Sequence, residues 1–196
     1  MITVISLFEP RNDSRGVYID TTSKSICKWT TELSPFHLGP CKLYGNYSSK
    51  NVENGWQYTK VYDQFIDVNR NPTKEYFDWA IDGWNNIKAQ RYPMGKGSIP
   101  QYSYWDGIKY NYIDARKNIY VPLYANSVIK TNGYAKLKEL INSNINIYLM
   151  DYDAYRHRDL NMTLTDVLNY PTKKMGHAFV LMMLLTNDNA LTQCRL

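Results

Sequence analysis

The chain has 196 residues, 44% of them hydrophobic and 21% charged, and a formal net charge of +5. This length predicts one domain, residues 1–196, that can bury roughly 70% of its unfolded surface without disulfides or metals. No apolar run reaches the ~20 residues that a membrane span needs, and the N-terminus lacks the basic region of a signal peptide. The three cysteines form no Cys-x-x-Cys motif, so we expect no disulfide framework and a cytoplasmic location.

The positive charge permits an anionic substrate or nucleic acid as a partner, but the Lys and Arg residues are scattered along the chain. This scatter does not indicate a dedicated surface for duplex DNA. Eighteen Tyr and five Trp residues exceed what a core of this size requires. They are typical of clefts that stack on bases or sugars, or of a composition set by an A/T-rich genome.

Capping residues, Pro and Gly positions and hydrophobic periodicity predict the elements of the first half. In chain order they are two strands within residues 1–30 around a turn at 13–16, a loop at 33–49 with a short strand at 41–44, a helix over 51–65, and a second helix from Asn71-Pro72 to Arg91.

The same signals predict the second half. Its elements are a non-helical segment at 92–100, helices at 105–120, 122–130 and 134–141, a strand at 145–150, and helices at 163–168 and 175–185. Without a linker or a repeat, these elements predict one α+β domain that is mostly helical with a few short strands.

The helix after Asn51 carries the first candidate site. Glu53, Gln57 and Lys60 follow one another at i, i+4 and i+7, so they would project from one face. Asn51 as N-cap would place Glu53 in the first turn, where the helix dipole favours an ionised carboxylate. This arrangement is typical of a solvated helix face or of the wall of an active site, and the residues alone leave both open.

Two other segments could carry chemistry. The glycines of Gly95-Lys96-Gly97 would let backbone N–H groups approach an anion, although the spacing is not that of a P-loop and a plain turn is the alternative. Asp151 and Asp153 follow a predicted strand, where reactive groups are common, although a helix cap or a turn is the alternative. The three histidines have neither metal-ligand spacing nor a Ser or Cys motif beside them, so we expect no metal site.

The order of these segments carries a resemblance. Leu-Ser-Pro-Phe at 33–36, Tyr-Gly at 44–45 and Val-Glu-Asn-Gly-Trp-Gln-Tyr-Thr-Lys at 52–60 resemble the opening signature of the NADAR superfamily. There a Leu-Ser-Asn-Phe-like run and a Tyr-x-Gly turn precede Val-Glu-His-x-Tyr-Gln-x-x-Lys. Weaker likenesses continue over residues 33–185, at 89–91, 105–106, 147–151 and 174–183.

The chain departs from the family pattern at two places. Asn54 replaces the histidine after the glutamate, and residues 151–156 lack the tryptophan and glycines of the family's acidic loop. These departures indicate a divergent branch with its own substrate.

The resemblance implies an N-glycosidase of NADAR-like fold, without cofactor, that cleaves a ribose–base bond. Its expected substrates are phosphorylated ribosyl or ADP-ribosyl compounds, including modified DNA bases, because phage-borne members of the superfamily reverse DNA ADP-ribosylation. A phage-encoded member would act in the host cytoplasm.

The resemblance also implies roles for the candidate residues. Glu53 would be the principal catalytic carboxylate, with Asp151 or Asp153 orienting water or ribose. The substrate would be bound by Gln57, Lys60, Arg91, Gly95, Lys96, Gly97 and Trp105. The alternatives are a non-catalytic protein that binds ADP-ribose or a related nucleotide, and a structural or host-interaction protein.

Overall fold

In the computed structural model, residues 1–196 form a mixed α+β fold that is 39% helical and 15% strand. In chain order the elements are β1 (Ile2–Ser6), β2 (Val17–Asp20), α1 (Lys28–Thr31), β3 (Cys41–Lys42), β4 (Ser48–Ser49), α2 (Val52–Gln57), β5 (Lys60–Val61), α3 (Lys74–Asn85), β6 (Tyr102–Trp105), β7 (Ile108–Tyr110), α4 (Tyr112–Ala115), α5 (Val121–Val128), α6 (Asn132–Ile141), β8 (Ile147–Asp151), α7 (Leu164–Asn169) and α8 (His177–Thr186). None of the helices has the length and hydrophobicity needed to cross a membrane.

A parallel sheet of order β1–β8–β2 lies at the centre of the fold. The two N-terminal strands were predicted, but they do not pair with each other. Strand β8 lies between them, with Leu149 opposite both Val4 and Ile19. All five residues of β8 are buried, as expected for the middle strand of a parallel sheet covered on both faces.

Helix α8 packs against β1, β8 and α5 in the largest hydrophobic cluster. Its sequence is apolar on every side, and residues 177–183 are all buried, which is typical of a helix enclosed by other elements. The carboxyl end of β8 and the first turn of α8 therefore meet inside the protein, where Asp151 and His177 lie.

The helix predicted over 51–65 is much shorter than expected. It ends at Gln57, and the chain continues as β5, in which Lys60 pairs with Ser103 of β6. The carbonyl of Trp56 accepts a hydrogen bond from the Thr59 hydroxyl instead of continuing the helix. Lys60 is thus not on the helix face that predicted its role.

The prediction of a helix over 105–120 is wrong for its first half. Tyr102–Trp105 and Ile108–Tyr110 form a hairpin, joined by Asp106 and Gly107 with φ of 48° and 83°. Asp-Gly at the centre of a two-residue turn is a strong hairpin signal, because both positions need positive φ. Helical structure begins only at Tyr112.

Helix α3 also ends early, at Asn85 rather than Arg91. Within it, Gly83 is buried against the ring of Tyr58, and a Cβ at this position would overlap that ring. The ring cannot move aside easily, because it packs on Trp79 with centroids 4.5 Å apart.

We predict that Gly83→Ala destabilises the protein by about 1–3 kcal/mol through overpacking. Helix propensity alone would favour alanine by ~1 kcal/mol, so the sign of the change separates the two effects. Urea unfolding measures it, with Asp82→Ala on the exposed face as the control, expected within about 0.5 kcal/mol of wild type. Stabilisation by Gly83→Ala would contradict the packing of Tyr58.

Candidate active site

Helix α2 presents an acid and an amide to a cavity. Asn51 caps the helix by accepting a hydrogen bond from the Asn54 N–H at 2.8 Å. One turn apart on the same face, Gln57 Nε2 donates to Glu53 Oε1 at 2.9 Å. Lys60 Nζ donates to Gln57 Oε1 at 2.5 Å. The amide therefore links the acid to the base, and the three side chains predicted to act together do lie together.

Burial shifts the protonation of both charged ends of this chain of hydrogen bonds. Glu53 is only 5% exposed, and burial raises the pKa of its carboxyl against the opposing effects of Gln57, Lys60 and Arg91. Burial lowers the pKa of the Lys60 ammonium to about 8, against the attraction of Glu53. Glu53 therefore holds a proton more readily than an exposed glutamate, while its Oε2 accepts no hydrogen bond from the protein.

An ion pair between Asp151 and His177 forms the floor of the cavity. His177 Nδ1 lies 3.0 Å from Asp151 Oδ2, and His177 Nε2 lies 2.8 Å from the carbonyl oxygen of Thr21. Since both partners only accept hydrogen bonds, both ring nitrogens donate and His177 is an imidazolium. Burial opposes both charges, but their mutual attraction and hydrogen bonding outweigh it, so the pKa of His177 is raised and that of Asp151 is lowered.

Gly176 allows helix α8 to begin directly against Asp151. A Cβ at this position would overlap Oδ2 of Asp151. The backbone N–H of Ala178 in the first turn points to the same oxygen, at 3.4 Å. The positive end of the helix therefore adds to the stabilisation of the carboxylate.

Asp153 lies at the rim of the cavity rather than at its floor. It accepts a hydrogen bond from the guanidinium of Arg91, and Lys174 Nζ lies 3.9 Å from its other oxygen. The side chains of Arg91 and Asp153 are 32% and 29% exposed. The two predicted acids thus occupy different places, Asp151 inside and Asp153 in an ion pair at the entrance.

Asn54 holds the segment that leads to Arg91. Its Nδ2 donates to the carbonyls of Asn86 and Lys88 at 2.9 and 3.1 Å, and its Oδ1 accepts from the Gln90 N–H at 2.8 Å. These bonds keep residues 86–90 extended, which explains why α3 does not continue to Arg91. The residue that stands in place of the histidine of the NADAR pattern is fully buried, and it positions backbone.

A π-helical turn over Arg116–Tyr120, between α4 and α5, contributes two more side chains to the cavity wall. Tyr120 is 8% exposed, and its hydroxyl makes no hydrogen bond within the protein. Arg116 is 2% exposed and has no carboxylate partner. The Arg116 guanidinium donates to the carbonyls of Val167, Leu168, Tyr170 and Lys173.

These groups line one cavity of about 650 Å³. The three carboxyl groups of Glu53, Asp151 and Asp153 are outnumbered by seven cationic side chains. The cations are Lys24, Lys60, Arg91, Arg116, Lys173, Lys174 and the imidazolium of His177. A cavity of this size and charge suits an anionic ligand of nucleotide dimensions.

Four residues predicted to bind substrate lie outside this cavity. Gly95, Lys96 and Gly97 are exposed, and the glycines have φ of 91° and 94°, so they serve a surface turn. Trp105 lies in β6 and lines a second cavity of about 910 Å³. That cavity is bordered by Pro122 and Asn126, and Tyr120 does not line it.

Sequence reasoning missed His177, Arg116 and Tyr120. His177 was set aside because no Ser or Cys motif accompanied it, whereas its partner is the carboxylate of Asp151. The pair is separated by 26 positions, so no local spacing reveals it. Arg116 stands in a polar run between Asp114 and Asn118, so its sequence neighbours give no signal of its burial.

Sequence comparisons add no assignment. No protein-family model matches the chain, and no curated protein matches it significantly. No group of three or more His, Cys, Asp or Glu side chains is arranged to hold a metal ion. The case for a function therefore rests on the geometry of the cavity.

We predict that Asn54→Ala lowers the free energy of unfolding by about 1–3 kcal/mol, because it removes the hydrogen bonds between a fully buried side chain and three partly buried backbone groups. Hydrogen exchange should accelerate at the N–H of Gln90, which Asn54 now protects. The exposed Asn85→Ala is the control and should change neither quantity. Unaltered exchange at Gln90 would contradict the role of Asn54.

We predict that the contribution of His177 to stability falls as the pH rises. A raised folded-state pKa means that the stabilisation is complete below the ordinary value of 6.5 and is lost as the pH passes the raised value. At pH 6, His177→Gln should cost about 3 kcal/mol in urea unfolding, as for other broken buried pairs.

The difference between wild type and this variant should shrink towards pH 9. Above a pH of about 8, loss of the Lys60 proton in the folded protein makes stability rise with pH. The difference between wild type and variant cancels this contribution, whereas the wild-type curve alone contains it. The exposed His37→Gln should show no such trend. A difference independent of pH would mean that His177 is neutral in the folded protein.

Proposed function

We propose that this cavity is the active site of an N-glycosidase that hydrolyses the ribose–base bond of a phosphorylated ribosyl or ADP-ribosyl substrate. The observation that carries the proposal is Glu53, a buried carboxyl with one unbonded oxygen in a cavity whose other charges are on balance positive. Cleavage of an N-glycosidic bond passes through a ribosyl cation, which a fixed carboxylate stabilises. The phosphates of such a substrate need the cations around it.

Glu53 acts first as an acid and then as a base. Its carboxyl gives its proton to the departing base, which leaves with the electrons of the C–N bond. The resulting carboxylate faces the ribosyl cation, and it then takes a proton from the water that attacks the anomeric carbon. Free base and a ribosyl hydroxyl are formed, and Glu53 is protonated again. The raised pKa of Glu53 suits this cycle.

Gln57 and Lys60 hold Glu53 in place and tune its charge. The amide fixes Oε1 of Glu53, which leaves Oε2 to face the substrate. The nearby ammonium stabilises the carboxylate formed when the proton leaves. Asp151 stays ionised beside His177 and keeps the floor rigid.

The cations at the mouth bind phosphate. Lys24 and Lys173 lie at the cavity without a carboxylate partner, and Arg91 and Lys174 share the single carboxylate of Asp153. These four replace Lys96 as the phosphate ligands. An open mouth of this kind also admits an ADP-ribosylated base that is still part of a DNA strand.

The proposal includes distant membership of the NADAR superfamily. It is supported by the order of motifs over residues 33–185 and by the meeting of Glu53, Gln57, Lys60 and Asp151 in one cavity. Asn54, the clearest departure from the pattern, has a structural role here and takes no part in the chemistry. An enzyme of this class works in the cytoplasm, that of the host when a phage encodes it.

We predict that Glu53→Gln reduces turnover by about 100-fold or more, because the amide can neither give nor take the proton. Release of free base is followed by mass spectrometry with ADP-ribosylated DNA oligonucleotides and ribosylated pyrimidines as substrates. Glu75→Gln, exposed on α3, is the matched control and should retain full turnover.

Binding separates catalysis from a change of structure. Glu53→Gln should still show a thermal shift with ADP-ribose, because the cations are untouched. Binding without turnover by the wild type would favour a non-catalytic nucleotide-binding protein. Neither turnover nor a thermal shift by the wild type with any of these compounds would overturn the proposal.

A further inference from the structure

The hydroxyl of Tyr120 has no hydrogen-bonding role within the fold. Its ring belongs to the main hydrophobic cluster and packs on Trp56 and Tyr124, with centroids 5.3 and 6.4 Å away. Its hydroxyl makes no hydrogen bond to any protein group, although the hydroxyl oxygen is not completely enclosed by protein atoms. The hydroxyl oxygen therefore reaches the space of the cavity that Tyr120 lines.

The neighbouring tyrosine provides a direct contrast. Tyr124 lies one turn further along the helix, and its hydroxyl donates to the carbonyl of Leu33 at 2.6 Å. That bond fixes the helix to the segment before α2. A buried hydroxyl in a native structure normally has such a partner. The hydroxyls of Tyr44 and Tyr155 also lack a partner, but neither residue lines the cavity, whereas Tyr120 does. The missing partner of Tyr120 is therefore expected to be a ligand.

The backbone beneath Tyr120 is unusual as well. Residues Arg116–Tyr120 form a π-helical turn, and such turns are rare and are frequently found at functional sites. Here the turn places Tyr120 near Asp151 and Glu53, the two charges that most affect its hydroxyl after burial itself.

We infer that the Tyr120 hydroxyl binds a ring hydroxyl group of the ribosyl substrate and makes the cavity selective for ribose over deoxyribose. The inference rests on the proposed function for the kind of ligand, but it concerns binding and not the reaction.

The surroundings match a hydroxyl group in particular. A sugar hydroxyl both donates and accepts a hydrogen bond, so it needs one partner of each kind. Tyr120 supplies the donor, and Oε2 of Glu53, which keeps a free lone pair when it holds its proton, supplies the acceptor. Burial raises the pKa of Tyr120 well above its ordinary value, which keeps the hydroxyl protonated and able to donate throughout the physiological range.

The test measures affinity by calorimetry with three probes: ribose 5-phosphate and its 2-deoxy and 3-deoxy analogues. The wild type should bind ribose 5-phosphate about tenfold more tightly than at least one analogue, the size expected for one hydrogen bond. Tyr120→Phe keeps the ring packing, and it should bind the three compounds with equal affinity. Its affinity for the analogue that lacks the bound hydroxyl should match that of the wild type.

Tyr124→Phe is the matched control. It removes a tyrosine hydroxyl that is hydrogen-bonded within the fold, so it should lower stability and keep the preference for ribose 5-phosphate. An unchanged preference in Tyr120→Phe would overturn the inference, and so would a wild type that binds none of the three. A wild type with the preference but without turnover would overturn the glycosidase proposal and leave the role of Tyr120 intact.

Discussion

The buried ion pair between Asp151 and His177 joins the two elements on which the rest of the structure depends. Asp151 ends the strand that pairs with both of its neighbours, and His177 begins the helix that packs across that sheet. Two buried charges are tolerated only together, since loss of either would leave the other without a partner. Because Gly176 has no side chain, the strand end and the helix start approach closely enough to make the pair. The cavity floor is therefore continuous with the packed core.

Burial raises the pKa of both carboxyl groups in the cavity, but their partners make the net shifts opposite. The pKa of Asp151 is lowered, because an imidazolium and a helix N-terminus outweigh its desolvation. The pKa of Glu53 is raised, because the Gln57 amide and the more distant Lys60 ammonium do not outweigh its desolvation. Such a separation suits two acids with different roles in one site, one that stays ionised more readily and one that exchanges a proton more readily. The surplus of cations around them attracts an anionic ligand to the same place.

Local rules predicted part of this site, and tertiary contacts decided the rest. Spacing on a capped helix brought Glu53 and Gln57 together, as the sequence indicated. Lys60 joins them for a different reason. The chain leaves the helix after Gln57, and the following strand β5 places Lys60 beside Gln57. The hairpin at Asp106 carried a local signal that was overlooked. The pairing of His177 with Asp151 had no local signal, since Asp151 lies on a strand that is distant in sequence.

The most direct measurement is a crystal structure of the protein with ADP-ribose. We expect the terminal ribose to lie between Glu53 and Tyr120, with its anomeric carbon facing Oε2 of Glu53 and the phosphates among Lys24, Arg91 and Lys173. Density for the ligand in the second cavity beside Trp105, or a pose with the anomeric carbon turned away from Glu53, would contradict this expectation.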